Sequence, residues 1–266
     1  MLSKKLLIFT LVSIMISVFL SGTSYSKPKQ EFYEIRIYHL ENIQQEQMVD
    51  SYLQNALLPA LNRHGINRVG VFKPLSNDTA KIRLIYVLVP YKTEQQFVKL
   101  PAQLEMDKQY NLDGQAYINA LYNNTPYQRI ESILLRAFRN MPVLQLPQFK
   151  NSSEYKEKRI YELRSYEGPT EKLYRNKVHM FNEGGEIEIF HRLGFNAVFY
   201  GDVLIGSRTP NLMYMTSFDD KESRDAHWQT FRTDPAWKKL SGMEYYKRNV
   251  SKSTIILLKA APYSEI

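Results

Sequence analysis

The sequence predicts an α+β fold: two tandem ferredoxin-like (βαββαβ) repeats packed as a pseudo-dimeric α/β barrel. Three observations predict it. The segment Phe32-Tyr33-Glu34-Ile35-Arg36-Ile37-Tyr38 returns 128 residues on as Ile160-Tyr161-Glu162-Leu163-Arg164-Ser165-Tyr166. Three further features return in the same order, at offsets of 123 to 129: Gly65 as Gly194, Leu84-Ile85-Tyr86 as Leu212-Met213-Tyr214, and Ile133-Leu134-Leu135 as Ile256-Leu257-Leu258. Each copy reads by hydrophobic periodicity as β-α-β-β-α-β, the split βαβ plan. Helices in that plan cover one sheet face and leave the other open. Two copies in one chain can therefore cover each other, with a pocket between the sheets.

The elements justify themselves in order. Alternation puts Tyr33, Ile35 and Ile37 on one side of the first strand and Glu34, Arg36 and Tyr38 on the other. Apolar residues at helical spacing, among them Val49, Leu53, Leu57 and Leu61, predict a helix over 43–63. Gly65 stands where a left-handed cap belongs. Strands follow near 68–72 and over 82–89, joined by a polar turn. Residues 93–122 read as helical, with Pro101 and Gly114 as interruptions, and 131–138 as the fourth strand. In the second copy Pro169 stands at a helix start, where its missing N–H is harmless. Gly184-Gly185 predicts a break in the helix. Strands are expected at 196–200, 212–218 and 254–259, a helix at 221–231, and a short one opened by Asp234-Pro235-Ala236-Trp237. The repeats are placed at 31–139 and 158–261, with 140–157 as the linker between them.

Residues 1–26 read as a secretory signal peptide. Lys4 and Lys5 precede an uncharged apolar run from Leu6 to Leu20, followed by small polar residues. The run is shorter than the roughly 20 residues of a spanning helix, so no membrane span is expected after cleavage. An uncleaved anchor is the rival reading. The expected location is exported, periplasmic or extracellular. There is no cysteine, which removes disulfides, thiolate nucleophiles and lipid attachment through a cysteine. The net charge of +8 loses the two lysines of the leader and is otherwise spread thinly, with no stripe that suits nucleic acid.

The strand Tyr-Glu-x-Arg-x-Tyr that opens each repeat resembles the start of a NIPSNAP domain. So does the order Tyr214, Phe218-Asp219-Asp220, Asp234-Pro235-Ala236-Trp237 in the second copy. The first copy keeps the opening strand and Tyr86-Val87-Leu88-Val89-Pro90-Tyr91, without the Asp-Pro-x-Trp segment. The resemblance implies a dimeric α/β-barrel fold and no particular reaction. Wider relatives of that barrel include haem-degrading and quinol monooxygenases and chlorite dismutases, which implies that the fold can host oxidative chemistry. Single-copy relatives need a dimer to complete the barrel, and two copies in one chain can remove that need. The sequence leaves the oligomeric state open.

The candidate ligand-binding residues are Glu34, Arg36, Tyr38, Glu162, Arg164 and Tyr166, together with Tyr86 and Tyr214 on the third strands. If the apolar side of each first strand meets the helices, the polar triplets face the space between the sheets. There the arginines would grip an anionic or phenolic ligand and the tyrosines would donate O–H groups. The alternative is two Glu–Arg pairs that satisfy each other and fix strand register. Tyr86, Tyr214 and Trp237 have packing readings of their own.

No histidine pair has compact metal-ligand spacing, so no metal is expected. Nor does any motif name a cofactor. There is no Gly-x-Ser-x-Gly elbow and no phosphate loop. His179 and His191 are the only residues that suggest a haem ligand. The leading expectation is a small molecule bound or turned over between the sheets. A protein-interaction module without catalysis, docking a partner through 93–122, is the alternative.

Overall fold

The computed structural model describes residues 29–148 and 157–266. The expected signal peptide and residues 149–156 of the linker lie outside them. Each repeat supplies four strands. They are β1 Phe32–Leu40, β2 Gly70–Pro74, β3 Arg83–Tyr91 and β4 Arg129–Ala137, then β5 Ile160–Glu167, β6 Asn196–Ile205, β7 Asn211–Phe218 and β8 Lys252–Ala260. All pairings are antiparallel, and the eight strands close in the order β1-β3-β2-β8-β5-β7-β6-β4. The repeats join edge to edge at two seams. One pairs Phe72 with Ala260 and Lys73 with Lys259. The other pairs Leu135 with Val203 and Ala137 with Gly201. One chain thus completes the barrel with its own two halves.

The helices lie outside the barrel. In the first repeat α1 Ile43–Tyr52 starts at Asn42, whose side chain accepts from the Gln45 N–H. It continues through a π-helical turn, Leu53–Leu57, into α2 Leu58–Arg63. Gly65 ends the run at φ +73°, a conformation that suits glycine. The next segment forms α3 Glu94–Met106, α4 Lys108–Asp113 and α5 Gln115–Ile118. Pro101 does not interrupt it: α3 runs through the proline. Breaks fall at Gly114, as expected, and at Asp107, which is extended and whose side chain accepts from the Tyr110 N–H. In the second repeat α6 Glu171–Asn182 and α7 Glu186–Arg192 are separated at Gly184-Gly185, as the sequence predicts. Then come α8 Lys221–Thr233 and α9 Pro235–Gly242, the latter opened by Asp234 accepting from two backbone N–H groups.

The faces of the first strands are the reverse of the expectation. Tyr33, Ile35 and Ile37 point into the barrel, in one buried cluster with Leu163, Met213, Met215 and Leu258 of the other half. Glu34, Arg36, Tyr38, Glu162, Arg164 and Tyr166 point out, beneath the helices. The physical reason is closure. A narrow lumen shut by two seams is filled with apolar side chains. The amphipathic helices bring polar partners that satisfy charges on the outer face.

Register corrects a second expectation. Ile37 pairs with Tyr86 and Arg36 with Val87, whereas Arg164 pairs with Tyr214 and Ser165 with Met213. Tyr86 is therefore equivalent to Met213, not to Tyr214. The third strands repeat at one residue less than the first strands, and one residue exchanges the faces of a strand. Tyr86 points into the lumen, while Tyr214 packs under the helices of the second repeat.

Candidate ligand-binding site

Glu162 organises the helix-covered face of the second repeat. It is fully buried and takes three donors. Arg164 Nε donates at 2.5 Å, Arg224 Nε at 2.5 Å and Trp228 Nε1 at 2.9 Å. Arg224 and Trp228 are four residues apart on α8, so they share one helix face. The Arg164 guanidinium lies over the Trp228 ring, 3.6 Å from its centroid, and its Nη1 donates to the Tyr166 hydroxyl at 3.0 Å. The Tyr166 and Tyr214 hydroxyls share a hydrogen bond of 3.0 Å. Burial, with the neighbouring Tyr166, pushes the Tyr214 phenol up, so it stays an O–H donor.

Beside this chain sits a buried ion pair. Lys177 Nζ of α6 donates to Glu186 Oε2 of α7 at 2.7 Å, both side chains being nearly inaccessible. The ammonium also stands 4.7 Å from the Phe181 ring centroid. Burial raises the Glu186 carboxyl, against the opposing effect of Lys177 and Arg164. The break at Gly184-Gly185 permits the pair. Gly185, at φ +90°, turns the chain so that α7 returns its first residue toward α6.

These groups border a cleft of about 360 Å³ between sheet and helices. Arg164, Tyr166, Tyr214, Lys177 and Glu186 supply its polar wall. Phe190, Phe231, Trp228 and Trp237 supply its aromatic wall. Arg232 stands exposed at the rim.

The equivalent place in the first repeat is packed. Glu34 is held by Arg36 at 3.1 and 3.2 Å, by the Tyr91 hydroxyl at 2.9 Å and by Ser132 at 2.8 Å. Tyr38 meets Tyr117 and Tyr127 edge-on, and Tyr117 stacks on Tyr52 at 3.7 Å. Tyr110, Tyr117 and Tyr127 take the place that is open in the second repeat. For Glu34 and Arg36 the mutual-satisfaction reading describes the geometry, while the Tyr38 hydroxyl is buried without a hydrogen bond.

The NIPSNAP family model matches residues 161–265, which takes in every residue of the cleft. The second repeat is a NIPSNAP domain. Among solved structures, a NIPSNAP-like domain protein from Burkholderia xenovorans aligns at 18% identity over 41% of this chain and 90% of that one, with a TM-score of 0.37. A candidate monooxygenase from Lactobacillus acidophilus aligns at 10% identity over 87% of this chain and 94% of that one, with a TM-score of 0.58. A second one, from Fusobacterium nucleatum, aligns at 10% identity over 87% and 93%, also at 0.58. The last two likenesses extend through both repeats and show the shared fold. No curated protein matches the chain.

Of the sequence candidates, Arg164, Tyr166 and Tyr214 meet in the NIPSNAP domain's cleft, with Glu162 behind them. Tyr86 lies across the barrel wall, and Glu34, Arg36 and Tyr38 lie in the packed first repeat. Lys177, Glu186, Arg224 and Trp228 escaped the sequence reading. Lys177 did leave a signal: it lies on the stripe Tyr174, Lys177, Phe181, where an apolar residue is expected. The haem reading does not fit. His179 Nδ1 is bonded to the Tyr246 hydroxyl at 2.9 Å, His191 is exposed beside the linker, and neither borders the cleft. Among the described residues no group of three His, Cys, Asp or Glu is placed to hold a metal, and no helix is long and apolar enough to cross a membrane.

Proposed function

We propose that this is an exported small-molecule protein whose ligand, flat and anionic or phenolic, sits in the cleft of the second repeat. The observation that carries the reading is Arg164. Its plane is fixed by Trp228 and Glu162 before any ligand arrives, and it borders an open volume beside two hydrogen-bonded phenols. A pre-set guanidinium is suited to a carboxylate or phenolate. The aromatic wall suits a flat ring, and about 360 Å³ is within the range of small-ligand pockets. Turnover is a further step of the same reading. Glu186, raised by burial, and Lys177 form a proton-holding pair next to the ligand, and the names of the two candidate monooxygenases agree with oxidative chemistry. Export rests on the leader-like residues 1–26.

Both tryptophans of the chain, Trp228 and Trp237, border the cleft, so intrinsic fluorescence reports its occupancy. Titration with hydroxybenzoates and hydroxynaphthoates is expected to quench it, and Arg164→Ala to abolish the response. Absence of quenching by every probe, with no ligand retained in native mass spectrometry, would overturn the reading. A second reading, a protein-interaction module, draws on the apolar residues that α3 to α5 and the turn after them expose: Val98, Met106, Leu112, Leu121 and Tyr122. Replacing them with serine would leave the fluorescence response intact and abolish partner capture.

A further inference from the structure

The barrel lumen holds a second opening, separated from the cleft by the sheet. A cavity of about 180 Å³ lies at one end of the lumen. Its floor is Ile37, Tyr86, Ile133, Met213 and Ile256, and its rim carries His39, Glu131, Ser207 and Arg208. Away from it the lumen is full. Tyr33 packs on Phe199 at 5.3 Å and Phe72 on Tyr161 at 4.8 Å, and none of these four borders the cavity. The chain ends that the structure describes belong to the full end. Glu31 bonds Pro142 and Ala137 there, and Ile266 packs against the same cluster as Phe72.

The rim chemistry is lopsided. Glu131 Oε1 accepts from the Ser207 hydroxyl at 2.8 Å, while Oε2 is 3.8 Å from His39 Nε2, too far for a hydrogen bond. Glu167 alternates with Ser165 on the lumen side of β5. Its Oε1 is buried without a hydrogen bond, and the nearest cation, Arg208 Nη1, stands 3.8 Å away. Glu131 borders the cavity and Glu167 does not, so Glu131 Oε2 is the carboxylate oxygen at the mouth with acceptor capacity to spare, while Glu167 faces Arg208 behind the rim. A buried acceptor left without a donor is costly, the more so when it is charged. Burial, with the charge of Glu131, pushes the Tyr86 phenol up to about 12, and it stays neutral beside that carboxylate.

We infer that this cup is a binding site for a small organic ammonium ion, with its apolar body in the lumen and its N–H groups at Glu131 on the rim. The size sets the body. An apolar cavity of about 150 Å³ takes benzene, so this one admits a single ring or a short branched chain. The charge sets the head. An ammonium donates to the free Glu131 oxygen, whereas a carboxylate would meet Glu131, the rim's cation Arg208 being turned to Glu167.

The site stands or falls separately from the cleft. The full-length protein is titrated with 4-fluorobenzylammonium, 4-fluorobenzyl alcohol and 4-fluorobenzoate, read by fluorine NMR. The ammonium is expected to bind, the alcohol about tenfold more weakly as the charge assistance is lost, and the benzoate not at all. Glu131→Gln, at the rim and free of core packing, is expected to weaken the ammonium about tenfold. Ile256→Phe fills the floor and is expected to abolish binding, with circular dichroism as the folding control. Benzoate binding as tightly as the ammonium, ammonium affinity unchanged in Glu131→Gln, or no binding of the ammonium would each overturn the assignment.

Discussion

Arg164 lies flat on Trp228 while its Nε holds Glu162, so one guanidinium joins the strand to helix α8 through both its face and its edge. Lysine keeps the charge but has neither plane nor fork. Arg164→Lys is expected to lower stability by about 1–3 kcal/mol, from the lost stacking and the lost hydrogen bond. Trp228→Phe keeps a ring under the guanidinium but removes the N–H to Glu162 and the packing of the second ring, at a cost of about 2–4 kcal/mol. Urea unfolding of the two single variants and of the double variant measures the coupling. Losses that simply add would mean that the two side chains contribute independently.

Lys177 and Glu186 form a buried pair whose members depend on each other. Removing one, as in Lys177→Met, is expected to cost about 3–5 kcal/mol, and the double change Lys177→Met/Glu186→Leu to recover most of it. The single variant also carries a pH signature. The Glu186 carboxyl is already raised by burial, and without the lysine it rises further. A raised folded-state value means stability present at low pH and lost as pH climbs from about 4.5 through the folded value. Melting curves across that range check the sign.

Gly185 and Gly184 are required for different reasons. A Cβ on Gly185 meets only Glu188 Oε2, at 3.7 Å, yet the backbone stands at φ +90°. Gly185→Ala is therefore expected to cost about 1–2 kcal/mol in backbone strain alone. At Gly184 a Cβ would fall 2.6 Å from the Met180 carbonyl. Gly184→Ala must move the end of α6 and is expected to cost more. Thermal unfolding of the two variants ranks them, and the reverse order would refute the account.

Glu34 should make the first repeat acid-sensitive. Burial raises its carboxyl, but the Arg36 charge and hydrogen bonds from Arg36, Ser132 and Tyr91 prevail and hold it below the usual range. A depressed folded-state value means stability present above the unfolded value of about 4.5 and lost as pH falls through the folded one. Glu34→Gln should be less stable than the parent at pH 7, and the gap should narrow in acid. A gap independent of pH would show that Glu34 makes no ionic contribution.

The repeat, the break at Gly184-Gly185 and the cap at Asp234 were legible in the sequence because each rests on local chemistry. The face of Arg164 was not. Alternation in a strand buried on both sides separates two faces without naming them, and here the lumen took the apolar one. Tyr86 and Tyr214 misled for a related reason. A motif matched by composition tolerates a slip of one residue, and only the pairing of Arg164 with Tyr214 reveals it. Lys177 and Glu186 lie nine residues apart around a glycine turn. No spacing rule brings them together until the turn is known.

The seams also set a schedule for synthesis. When the first repeat has left the ribosome, β2 and β4 are raw edges with unpaired backbone groups, the kind of surface on which chains aggregate. β4 waits for β6, and β2 waits for β8, the final strand of the second repeat. The nascent chain must therefore carry an open half-barrel until the whole second repeat has been made. A truncation that ends before Lys252 would leave that exposure permanent.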